Sequence, residues 1–152
     1  MQVAGYGQVV DDLVQAPPDL TALTTSRKAV ENALVQAGIG VQDVGVFEVH
    51  DCFTITGILS MEALGLANPG EGPDLVSGGA MKRDGAYPTN TSGGLVGYGH
   101  PTGASGVRMA VDLWKQLTGR AEGFQVAVRK PHGLLISMGG NDKTVVSLVV
   151  RR

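Results

Sequence analysis

The sequence predicts an α/β fold, a mixed β-sheet with helices packed against it in layers. Three observations carry the prediction. Apolar segments that read as strands alternate with segments of helical period as far as Gly119, and from Phe124 onward strand-like segments follow one another, which makes that end of the sheet antiparallel. Glycine makes up 23 of 152 residues, well above its usual share, which points to many tight turns or close backbone approaches.

The first ten residues read as a strand, followed by a loop through Asp11-Asp12 and Ala16-Pro17-Pro18-Asp19. A helix comes next, with Val30, Ala33, Leu34 and Ala37 on one face and Gly38 closing it. The apolar run Val44–Val49 reads as a buried strand, and Ile55, Ile58 and Leu59 are spaced as one face of a helix that ends at Gly65. From Asn68 to Asn90 glycine, proline and polar residues dominate without periodicity, so the segment reads as a long loop, which compact domains rarely keep without a use. Val107, Ala110, Val111, Trp114 and Leu117 recur at helical spacing and Gly119 stops the run. Met109 and Leu113 widen that stripe beyond what one sheet face needs, so part of it is expected to meet another domain, or to remain as an apolar patch without one. Strands follow over Phe124–Val128, Gly133–Ser137 and Thr144–Val150, with Asn141-Asp142-Lys143 as a hairpin turn.

Composition fits one domain over residues 1–152, long enough to bury about two-thirds of its extended-chain surface. A net charge of −2 gives no reason to expect nucleic acid or an anionic membrane as partner. The single Cys52 excludes an internal disulfide, no segment is apolar for long enough to span a membrane, and Met1-Gln2-Val3-Ala4-Gly5 lacks a basic signal-peptide start. The cytoplasm is the expected compartment. No His/Cys cluster has metal-ligand spacing and no phosphate or dinucleotide fingerprint is complete, so neither a metal nor a redox cofactor is expected.

Two clusters carry chemistry. Gly97-Tyr98-Gly99-His100-Pro101-Thr102-Gly103-Ala104-Ser105-Gly106 delivers a histidine through a glycine-rich turn to a helix that is expected to begin at it, where unpaired amides and the helix dipole favour a carboxylate, a phosphate or a developing oxyanion. Val49-His50-Asp51-Cys52-Phe53 lies between a strand and a helix, and in an open α/β sheet ligands gather outside the carboxyl ends of strands. The plainer readings are Cys52 as a small buried hydrophobe, His50 as a hydrogen-bonded strand-end residue and Asp51 as the cap of the next helix. For Asp51 the plain reading is preferred. Tyr98 reads as packing over the glycine turn, Trp114 as core, and His132 as a strand-end residue.

His-Asp-Cys-Phe at 50–53, Asn90-Thr91-Ser92-Gly93-Gly94 and Gly99-His100-Pro101-Thr102-Gly103-Ala104, in that order, resemble the C-terminal half of a thiolase of the sterol-carrier-protein type. The likeness extends to Val3-Ala4-Gly5-Tyr6-Gly7, to Arg27–Ala37 and to the last strands. It implies a thiolase-like layered half and Claisen chemistry on coenzyme A thioesters, in which a 3-oxoacyl-CoA is cleaved by CoA or two acyl-CoA molecules are condensed. By the resemblance His100 activates the nucleophilic cysteine and lines an oxyanion hole, His50 helps hold the thioester oxygen, and Cys52 is the second acid/base. Ser92, Gly93, Gly99, Gly139 and Gly140 are implied as substrate-binding residues, and the 68–90 loop as a segment that passes near the site and returns the chain to Ser92. The coenzyme A thioester is substrate, and no cofactor is implied.

The chain departs from the family pattern in three places. Ser137-Met138-Gly139-Gly140 stands where common thiolases carry Cys-x-Gly, Asn90-Thr91-Ser92 replaces Asn-Pro-Ser, and the family's nucleophile, which sits in the N-terminal half, has no counterpart beside Cys52. The chain is thus expected to be a fragment of a longer enzyme, one subunit of a split enzyme, or a non-catalytic half-thiolase that serves as a scaffold or acyl-CoA-binding module. The resemblance implies as partners an N-terminal thiolase half, a second copy in a homodimer of the complete enzyme, and a small OB-fold, zinc-ribbon protein. Aldolase-like relatives lose both motif histidines, so His50 and His100 favour a thiolase.

Overall fold

The computed structural model describes residues 1–152. Four strands, β1 (Gln2–Val10), β2 (Val44–Glu48), β3 (His132–Gly139) and β4 (Thr144–Arg151), form one sheet in the order β1-β4-β3-β2. The pairs β1/β4 and β3/β4 are antiparallel and β2/β3 is parallel, so the sheet is mixed as the sequence predicts. Five helices complete the fold: α1 (Thr24–Ala37), α2 (Thr54–Ala63), α3 (Gly72–Ser77), α4 (Gly94–Tyr98) and α5 (Ser105–Thr118).

The alternation of strand side chains creates two cores. On one face Ala29, Val30 and Ala33 of α1 and Met61 of α2 pack against Phe47, Leu134, Ile136, Val145 and Val149. On the other, Met109, Leu113 and Leu117 of α5 and Leu95 of α4 pack against Val46, Leu135 and Val150. Helix α1 lies so close to β1 that a Cβ on Gly7 would run into the Ala29 carbonyl, and one on Gly5 into that of Ala33. Gly7→Ala must push the helix off the sheet, and about 1–3 kcal/mol of destabilisation is expected in urea unfolding. An unchanged midpoint would show that α1 moves away freely.

Several sequence expectations are corrected. Helix α5 starts at Ser105, leaving His100 in the turn before it, where Pro101 fixes the chain short of the helix. Its buried face is Ser105, Met109, Asp112, Leu113, Gln116 and Leu117, whereas Val107 and Val111 are 66% and 39% exposed and Trp114 is half-buried, with Arg120 over its ring. Phe124–Val128 is not a strand. The Gln116 side chain accepts from Val126 N and donates to the Phe124 carbonyl, so it holds this segment in place of a neighbouring strand. The 68–90 loop contains α3, and α4 follows Gly93; at six and five residues both are too short for periodicity to reveal. The end of the loop acts as a substitute strand on the free edge of β2, where Phe47 N donates to Pro88 O and Asn90 N to Phe47 O. The Asn90 amide then pairs with both the N–H and the C=O of Val49.

Candidate active site

The parallel strands β2 and β3 point their carboxyl ends the same way, and an open cleft of about 1040 Å³ lies there. His50 and Cys52 reach it from the segment after β2, His100 from the turn before α5, and Gly139, Gly140 and Asn141 from the end of β3 and the hairpin turn. Leu20, Phe53 and Ile55 give it an apolar wall.

The rings of His50 and His100 meet edge to face, with centroids 4.8 Å apart. Ser105 Oγ lies 2.7 Å from His100 Nδ1 and donates its one proton to the Pro101 carbonyl at 3.2 Å. With the hydroxyl proton on the Pro101 carbonyl, Oγ accepts from Nδ1–H and the other ring nitrogen of His100, Nε2, is the one that can take up a proton. His50 is buried, and its Nδ1 has no partner within the chain. Burial, then the neighbouring His100, holds the His50 pKa down to about 4, so the ring is neutral at physiological pH.

That shift has a consequence for stability. The unfolded chain protonates His50 below about pH 6.5 while the folded chain resists until about 4, so the contribution is lost as pH falls through this window. At pH 5 the wild type is expected to have lost about 2 kcal/mol relative to pH 7.5 through this group alone. His50→Asn removes this component, so the difference between the two chains in urea titrations at both pH values isolates it. Parallel pH dependences would contradict the assignment.

Asp51 caps a helix, but not its own. The cap position of α2 is Phe53, without a side-chain bond, while Asp51 Oδ1 accepts from Leu95 N of α4 at 2.7 Å. Gly94, at φ 63°, is required there, because a Cβ would overlap the Asp51 carboxylate. In this way the segment bearing His50 and Cys52 is tied to the helix that leads into His100. Gly99 ends α4 and turns the chain into His100 without lining the cleft. Ser92 and Gly93 are not brought to the cleft. Ser92 Oγ donates to Asp112 Oδ2 at 2.8 Å, beside the Arg108–Asp112 pair at 2.9 Å, and this bond turns it to the other side of α5. Ser137 does line the cleft, against the start of α5 near Gly106. His132 begins β3, well away, with its ring on the Asp43 carbonyl.

Sequence reasoning missed Glu48, the last residue of β2. Its carboxyl is fully buried without a hydrogen-bond partner, and burial followed by the nearby Asp112 and Asp51 charges raises its pKa well above the usual range. Tyr98 packs beneath the Arg108 guanidinium, 4.4 Å from the ring centroid, and burial and Glu48 push its phenol up to about 12. The signal in the sequence was an acid inside an otherwise apolar strand.

Comparison with known proteins places the chain in a family. Residues 7–152 match the family model described as thiolase C-terminal domain-like. An acetyl-CoA acetyltransferase of Methanothermobacter thermautotrophicus is 37% identical over 134 residues, which cover 88% of this chain and 35% of that protein. Sterol carrier protein 2 of Rattus norvegicus is 39% identical over 123 residues, covering 81% of this chain and 22% of its own length. The chain thus spans about a third or less of the curated relatives it matches. The solved Ltp2-ChsH2(DUF35) aldolase superposes on 99% of the chain, and on 39% of its own, with a TM-score of 0.84 at 20% identity, a likeness of fold.

Proposed function

Because this chain belongs to the thiolase C-terminal domain-like family, we propose that it is the C-terminal part of a thiolase-type acyltransferase that acts on coenzyme A thioesters. The observation that carries the reading is the pairing of His50 and His100 beside Cys52 at one cleft, with His100 Nδ1 anchored on Ser105 Oγ.

In cleavage, a cysteine thiol supplied by another half gives its proton to His100 Nε2 and its sulfur attacks the 3-oxo carbon. The bond between the 2- and 3-carbons breaks, the acyl group stays on sulfur, and the departing acetyl-CoA enolate takes a proton from Cys52. CoA thiol then gives its proton to the Cys52 thiolate and attacks the acyl-cysteine, and the departing cysteine sulfur takes its proton back from His100, which releases acyl-CoA and restores the enzyme. His50 is neutral, and with its one proton on Nε2 it can donate to a thioester oxygen. Condensation is the same path reversed.

The need for another half is supported by an uncovered face. Helix α5 packs mainly on β2 and β3, and beside its exposed Val107 and Val111 the sheet presents Tyr6, Val10 and Val146 to solvent. The short share of its relatives that the chain covers points the same way. A small partner of the DUF35 kind, which is named together with the aldolase that shares this fold, is part of this proposal. The test is CoA-dependent cleavage of a 3-oxoacyl-CoA by the full-length protein or by the co-expressed complex. Cleavage is expected. Its absence, with acyl-CoA still bound, would favour the scaffold reading.

A further inference from the structure

We propose that Asp142 is a positioning residue of the cleft, whose carboxylate joins two separate stretches of its wall. One is the hairpin turn with Gly139, Gly140 and Asn141, and the other is the approach to α1 with Leu20 and Leu23. Asp142 is only 5% exposed, yet it is neither ion-paired nor turned to solvent. Its Oδ2 accepts from Thr25 N at 2.9 Å, and its Oδ1 accepts from Ser26 N at 2.9 Å and Ser26 Oγ at 2.5 Å.

Helix α1 has no cap of its own, since Leu23 occupies that position without a side-chain bond and the first turn carries no acid. The cap arrives from a residue 117 positions away, at the far end of the chain. A cap that served only the helix could be supplied locally at no topological cost, whereas this one also fixes the turn that carries it. The turn is held from the other side too, because Lys143 Nζ pairs with Asp11 at 2.7 Å and Lys143 O accepts from Asp11 N. Asp142 itself has φ 66°, a left-handed conformation that asparagine or glycine adopts with least strain. Substitution by either therefore tests the carboxylate rather than the backbone.

This inference rests on the acyl-CoA reading of the cleft, so its test has one arm that needs no activity. In the full-length or assembled enzyme, Asp142→Asn, Asp142→Gly and the double variant Asp142→Gly/Thr24→Asp are compared with wild type. Thr24 is exposed in the first turn, and an acid there restores a favourable charge at the helix start without touching the hairpin. We expect the double variant to recover the thermal midpoint while amide exchange over residues 137–144 stays about tenfold faster and KM for acyl-CoA about tenfold higher, with kcat within about threefold. Asp142→Asn keeps an acceptor for Ser26 and falls between. Unchanged exchange, or recovery of exchange and KM together with the midpoint, would reduce Asp142 to a helix cap and overturn the proposal. Faster exchange with unchanged KM would overturn its role in the reaction. A wild type without thiolysis counts against the acyltransferase reading, and the exchange arm still decides whether Asp142 holds the wall.

Discussion

His100→Ala in the assembled enzyme is expected to lower CoA-dependent cleavage about 10²–10⁴-fold, the range for loss of a positioned proton acceptor. The thermal midpoint should not move, because the ring is exposed at the cleft and its one hydrogen bond in the chain is to Ser105. The acyl-transfer half-reaction, followed by exchange of labelled CoA into acyl-CoA, should fall as far, since His100 acts on the thiol before any carbon–carbon bond changes. Ser105→Ala gives a smaller loss of about tenfold, because it removes the hydrogen-bond partner that orients the ring but leaves the imidazole in place. Wild-type exchange in His100→Ala would remove the histidine from the mechanism.

Cys52→Ala is expected to separate the two half-reactions. Cleavage of 3-oxoacyl-CoA should fall about 10²–10⁴-fold while CoA exchange stays within about threefold, because only the Claisen step needs a proton at the α-carbon. Cys52 is half-buried and lines the cleft, and its replacement leaves the His50–His100 pair intact. Equal loss of both activities would instead make Cys52 a structural or acyl-carrying residue. Full retention of both would pass the proton role to another group, with Ser137 the nearest alternative in kind on the cleft wall.

What the sequence made legible follows the reach of local physics. Strands β1, β3 and β4 and helix α1 were readable because each carries its own pattern and its own stop, as with Val30, Ala33, Leu34 and Ala37 before Gly38. The buried face of α5 was not, because the helix has more apolar residues than one sheet can cover, and Asp112 and Gln116 take core positions through hydrogen bonds to Ser92, Arg108 and residues 91 and 124–126. The same long-range bonds explain why Phe124–Val128 looked like a strand and is not. In the site, His50, Cys52 and His100 were found as motif residues and do share one cleft, while Ser92 and Gly93, from the Asn90–Gly94 motif, lie outside it, with Ser92 bonded to Asp112. The roles of Asp51 and Asp142 were out of reach, since each caps a helix remote in the chain and no local spacing encodes that.

The most direct test of the central claim is the intact mass of the assembled enzyme after brief incubation with acyl-CoA and quenching, with the acylated residue located by peptide mapping. This account predicts one acyl group on a cysteine outside these 152 residues, undiminished by Cys52→Ala and lost in His100→Ala. Acylation of Cys52 itself, or no acyl-enzyme while cleavage proceeds, would contradict it.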